Sequence, residues 1–157
     1  MLGVVAWPAT STAPAEAAQA LMLLKDLTGR IANNRNNAAA YVTGADAPIG
    51  EVLGDCPTDT STRRNADLTE WCNLVQGAGE ETTAGTRVGA MVGGRGCVED
   101  LGNGQYLVTV AWQGLAPISA PPESVACGLG DFDGGTVCVD DLCRRVVTSI
   151  VRIATLT

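Results

Sequence analysis

Gly102-Asn103-Gly104-Gln105-Tyr106-Leu107-Val108-Thr109-Val110-Ala111-Trp112-Gln113 decides the class of fold. Asn103-Gly104 accepts the positive φ angles of a tight hairpin turn. From Gln105 the residues alternate, with Tyr106, Val108, Val110 and Trp112 on one face and Leu107, Thr109 and Ala111 on the other, which is the period of a strand. Residues 88–98, just before the turn, are apolar and rich in glycine. Beyond the strand, residues 115–135 read as loop, with Pro117, Pro121, Pro122 and four glycines. Alternation returns from Arg144 to Leu156. Val147, Val151 and Ile153 share one side, and Val146, Ile150 and Leu156 the other, with no glycine or proline between them. The second half is therefore an antiparallel sheet of three or four strands.

The first half reads differently. After a breaker-rich run holding Pro8 and Pro14, the apolar residues Ala17, Ala20, Leu21, Leu24, Leu27 and Ile31 recur at three- and four-residue spacing. Gln19, Lys25, Asp26 and Arg30 occupy the other side, and the asparagine run Asn33–Asn37 ends the pattern. This predicts a helix over 15–34 that packs through Ala17, Leu21, Leu24, Leu27 and Ile31. Residues 43–65 are loop-like. Asn65 can cap a short helix whose face is Leu68, Trp71, Cys72 and Val75, stopped at Gly77-Ala78-Gly79. One domain spans 1–157, divided into a lead-in over 1–14, the helix over 15–34, loops and a short helix over 35–86, and the sheet region over 87–157. The fold class is α+β.

Composition narrows function. The 157 residues carry 10 bases against 17 acids, a net charge of −7, and no histidine. Too few Lys and Arg are present to neutralise a phosphate backbone, so no nucleic acid is expected to bind. Without imidazole there is no Ser-His-Asp triad, no Cys-His pair and no His-ligated zinc. Adjacent carboxylates at Glu80-Glu81 and Glu99-Asp100 sit beside turn glycines rather than across an aromatic-lined cleft. Lys25 and the hydroxyl residues offer no evident activated nucleophile. Asp131-Phe132-Asp133-Gly134 resembles the start of a calcium loop, but the later ligands do not fall in place, and a solvated loop with Asp140 and Asp141 accounts for the acids. Arg144 and Arg145 are expected to pair with that loop, with a contact to another subunit as the alternative. No catalytic residue, cofactor or metal ligand is expected.

Six cysteines, at 56, 72, 97, 127, 138 and 143, imply an oxidising compartment and a disulfide framework. No CxxC pair suggests a thiolate zinc site. Cys138 and Cys143 are compatible with a small disulfide loop, yet six cysteines allow 15 pairings and spacing does not choose among them.

Several stretches together are similar to one known family. Gln19 to Leu27, Arg30 to Arg35 and Ala38 to Tyr41 resemble the minor pilin PilV family of bacterial type IV pili. So do Glu70-Trp71-Cys72-Asn73, Gly89-Ala90-Met91, Gly94-Arg95-Gly96-Cys97, Val108 to Gly114, Cys143 to Val147 and Arg152-Ile153-Ala154. The resemblance covers nearly the whole chain. It implies a pilin-like fold, with a long N-terminal helix packed on an antiparallel sheet, a short second helix and disulfide-stabilised loops. Chain proximity and the family pattern together imply the pairs Cys56–Cys72, Cys97–Cys127 and Cys138–Cys143.

The implied role is structural. A minor pilin joins other minor pilins and pilin subunits through its N-terminal helix, primes assembly of the pilus and stands at its tip, and the pilus serves adhesion and twitching motility. The implied location is the inner membrane, held by one upstream span with the domain in the periplasm, and later the extracellular pilus. Leu2–Trp7 would be the remaining end of that span, because the family's leader, cleavage site and further apolar residues are not found here. A minor pseudopilin of a type II secretion system, or a freestanding secreted adhesin, are the alternative expectations.

Overall fold

The computed structural model describes residues 12–77, 91–135 and 137–154. Leu2–Trp7, Pro8, Ala78, Gly79, Glu80, Glu81, Gly89, Ala90 and Leu156, singled out above, lie outside the described residues. The elements are α1 (Thr12–Asn33), a 3-10 helix (Arg35–Tyr41), α2 (Arg63–Val75), β1 (Arg95–Gly102), β2 (Gln105–Gln113) and β3 (Arg144–Arg152). The class is α+β, with a three-stranded antiparallel sheet ordered β1-β2-β3.

The hairpin forms as its turn residues require. Asn103 and Gly104 have φ of 55° and 74°, and the β1–β2 register shifts between Asp100 and Gly102, just before the turn. Beyond it the ladder is regular, running from Glu99 opposite Leu107 to Arg95 opposite Ala111. β3 pairs with β2 without interruption, from Gln105 opposite Arg152 to Gln113 opposite Arg144.

One face of the sheet carries the main core. Tyr106, Val108, Val110 and Trp112 of β2 meet Leu23, Leu24, Leu27 and Ile31 of α1, and Val98 and Val151 join them. Burying each Leu or Ile side chain stabilises the fold by about 1.5–3 kcal/mol. The packing face differs from the expected one at one position. Ala17 is partly buried and Leu24, Leu27 and Ile31 are buried, but Leu21 is 48% exposed. Ala20, Leu24, Leu27 and Ile31 centre the buried stripe, and at about 100° per residue Leu21 lies roughly a quarter-turn from it. Leu23, on the opposite flank but nearer the centre, is buried instead.

α2 closes the same core. Its first turn is capped by Thr62, whose hydroxyl accepts from the Asn65 backbone N–H, so Asn65 is not the cap. Leu68, Trp71, Cys72 and Val75 are buried as their spacing demands, and the chain leaves the helix through Gly77 at φ 74°.

The other face of the sheet is covered by the long loop between β2 and β3. Cys97, Ala111, Cys127 and Phe132 form a second, smaller core, with Val146 packed beside it. Thr109 and Ala111 are thus buried as completely as the residues facing α1. Three layers result: helices, sheet and loop.

Candidate functional site

All six cysteines are oxidised. Cys56 joins Cys72, Cys97 joins Cys127 and Cys138 joins Cys143, the same three pairs that the resemblance implies. Two of the bonds tie a loop to a regular element, and the third lies within the loop before β3. The first holds the 43–62 loop to α2, the second fastens the 115–143 loop to β1, and the third closes a small ring leading into β3.

Two polar clusters complete these fastenings. In the first, buried Asp67 of α2 accepts from the Tyr41 hydroxyl at 2.5 Å and from Arg30 Nη1 at 3.1 Å. Arg30 also contacts Asp26 and donates to Glu70, so one guanidinium bridges α1 and α2. Burial works to lower the Arg30 pKa, but the three carboxylates outweigh it and hold the group above its ordinary value. Burial raises the Tyr41 pKa, and its bond to Asp67 raises it further. The sequence reading missed this cluster. The available clue was a carboxylate, Asp67, set next to Leu68 and four residues before Trp71 on the apolar face of α2.

The second cluster lies where β3 begins. Arg144 is fully buried, donates to Asp141 Oδ2 at 2.7 Å and bonds the carbonyls of Val125 and Cys127. Asp141 also accepts from the Gly130 N–H, while its own N–H donates to Asp133. The expected pairing of Arg144 with the acidic loop is therefore present. Asp141, however, is buried rather than solvated, because its carboxylate is needed to compensate Arg144 inside the loop layer. Arg145 does not pair with a loop carboxylate. It donates to the carbonyls of Ala116 and Leu142, and burial lowers its pKa against the opposing pull of Glu16.

Asp131 is turned elsewhere and pairs with Arg95, which also meets Glu51 and lies 4.6 Å from the Phe132 ring centroid. Asp131, Asp133 and Asp141 thus serve an arginine, a backbone amide and another arginine. Among the described residues no three Cys, Asp or Glu side chains converge on a point that could hold a metal ion. Two shallow depressions flank the 45–51 segment, of about 310 and 410 Å³. Asp46, Pro48 and Glu51 are common to both. Glu99 lies half-buried on β1, and its Oε2 has no hydrogen-bond partner.

Disulfides and buried ion pairs fix loops to a helix-on-sheet frame. No helix among the described residues is long and apolar enough to cross a membrane. No protein-family model, curated protein or solved structure matches this chain.

Proposed function

We propose that this chain is the exported domain of a minor pilin of the PilV family, a non-enzymatic building block of a type IV pilus. The reading rests on the sequence words given above. The observation that supports it best is α1 lying along an antiparallel sheet, with Leu24, Leu27 and Ile31 buried against Val108 and Val110. A pilin-like subunit needs such a helix held rigidly to its domain, so that an apolar N-terminal extension can serve the membrane and then neighbouring helices. Three disulfides suit a domain that works in the oxidising periplasm and outside the cell. In this role the subunit joins the minor-pilin complex that primes polymerisation and stands at the pilus tip.

The test is co-purification of the chain, with a membrane helix fused ahead of it, with the other minor pilins of its source. Stable recovery of a complex, together with loss of pili on deletion, is the expected result. Recovery with none of them overturns the proposed role.

A further inference from the structure

The two outer strands of the sheet are finished differently. The free side of β1 is closed by the chain itself, because the amides of Thr43 and Gly44 donate to Val98 O, and Ile49 and Gly96 exchange hydrogen bonds. Among the described residues β3 has no such cover. Two bonds fix its parity: Gly114 N–H donates to Cys143 O at 2.7 Å, and Ile153 N–H donates to Gly104 O at 2.8 Å. In an antiparallel ladder the direction alternates from residue to residue. Odd-numbered residues of β3 therefore address β2, and Val146, Thr148 and Ile150 direct their N–H and C=O groups outward. Among the described residues none of these groups meets a backbone partner outside the sheet.

Between Arg145 and Arg152, devices within the strand that normally disable an open edge are absent. β3 contains no proline and no glycine, and its register with β2 has no bulge. Six uncharged residues, Val146 to Val151, lie between Arg145 and Arg152. Thr148, Ser149 and Ile150 are exposed in succession although they alternate between faces, so neither face of β3 is covered at this end.

Charge decides what fits. Pairing β3 with β3 of a second copy about a two-fold axis would set the Arg144–Arg145 end of each strand near Arg152 of the other, and like charges across a strand pair are destabilising. We propose that the outer edge of β3 docks an extended segment of a different polypeptide, one with about six uncharged residues flanked by carboxylates. Its backbone completes the bonds of Val146, Thr148 and Ile150, and its terminal acids meet Arg145 and Arg152.

The probe is the capped peptide Glu-Val-Thr-Val-Thr-Val-Thr-Glu, added to the isotope-labelled, disulfide-intact chain while amide exchange is followed by NMR. The amides of Val146, Thr148 and Ile150 exchange freely without peptide and slow by about tenfold at millimolar peptide. Val147, Ser149 and Val151, already bonded to β2, change less. A peptide ending in Lys binds about fivefold more weakly. Thr148→Pro, which deletes an outward N–H and leaves the inner ladder intact, abolishes the effect. A peptide N-methylated on the amides facing β3 also fails to bind, which provides a control should the proline variant not fold. Slow exchange before peptide is added overturns the proposal, because the chain then covers its own edge. Slowing that follows protein concentration alone, no slowing at all, or indifference to the terminal charges overturns it too.

Discussion

Trp71 stands so close to Gly96 that a Cβ on residue 96 would lie 2.4 Å from its Cη2, while its indole N–H donates to the Leu23 carbonyl at 2.8 Å. One side chain of α2 thus touches the backbone of β1 and of α1 at once. Its ring fits because position 96 has no side chain. Gly96→Ala should destabilise the fold by about 1–3 kcal/mol through overpacking. Trp71→Phe should cost about 1 kcal/mol or more, through the lost bond to Leu23 and the space the smaller ring leaves. Thermal unfolding followed by circular dichroism, with disulfides intact, measures both. A Gly96→Ala protein as stable as the parent would mean the ring moves aside freely.

Asp67 should be the most sensitive polar position near the helices. Replacing it with Asn removes one of the three carboxylates on Arg30 and leaves a single acceptor for both Arg30 and the Tyr41 hydroxyl, at a cost of about 1–3 kcal/mol. Tyr41→Phe keeps the ion pair and should cost about 1–2 kcal/mol. The tyrosine also gives a pH signature. Its pKa is raised on folding, first by burial and then by the bond to Asp67, so the folded state favours the protonated phenol. That contribution is complete below the ordinary tyrosine value of about 10 and is lost as pH rises through the raised one. Denaturant midpoints measured between neutral and alkaline pH should fall more steeply for the parent than for Tyr41→Phe.

Much of this frame was legible because it follows local periods. The three-and-four spacing from Ala17 to Ile31 marks a helix, and the alternation from Tyr106 to Trp112 marks a strand with its turn. What escaped depended on distant partners. Leu21 and Leu23 are equally apolar, and only the azimuth of the sheet beneath α1 makes one exposed and the other buried. Asp67 is tolerated among Leu68 and Trp71 because Arg30 arrives from 37 residues away and Tyr41 from 26. Asp141 looked like a solvated acid beside Asp140, and nothing local told that Arg144 would be wholly enclosed. The second core under the 115–143 loop was equally hidden, since Thr109 and Ala111 carry no mark of the Phe132 and Cys127 that cover their face.

The helix correction can be tested by charge. Leu21→Asp should change stability by about 0.5 kcal/mol or less, as is usual for an exposed position. Leu24→Asp should abolish folding, since it places an unpaired carboxylate in the main core. Leu24→Ala should cost about 2–5 kcal/mol. The contrast is best read in the same thermal scans. Equal damage at 21 and 24 would restore Leu21 to the buried stripe.

The three disulfides should not contribute equally. In the chain-entropy picture a closed loop of 30 residues is worth about 3.5 kcal/mol, one of 16 about 3 and one of 5 about 2. Replacing Cys97 and Cys127 with Ala should therefore cost most, and it also frees the loop that covers Ala111. Limited proteolysis of that variant should cut first within 115–135, whereas loss of Cys138–Cys143 should leave this region protected by Arg144. If Arg144→Ala exposes the loop to the protease while all three bonds remain oxidised, the buried ion pair and not the sulfur bridge is what holds it down.

Glu99 supplies the clearest pH test at acid. Burial raises its pKa, and one carboxylate oxygen is enclosed without a partner, so the folded protein prefers the neutral acid. A group with a raised folded pKa contributes stability that is complete below its unfolded value, about 4.3, and that is lost as pH climbs through the folded one. At neutral pH the ionised carboxylate is a net burden on the fold. Glu99→Gln removes the charge while keeping the shape. It should raise stability by roughly 0.5–1 kcal/mol at pH 7 and leave it unchanged near pH 3. Urea midpoints at the two pH values measure the difference. A variant that loses stability at pH 7 would show that the ionised Glu99 has a favourable partner in solution, and the half-buried position on β1 would then be a site of attraction rather than strain.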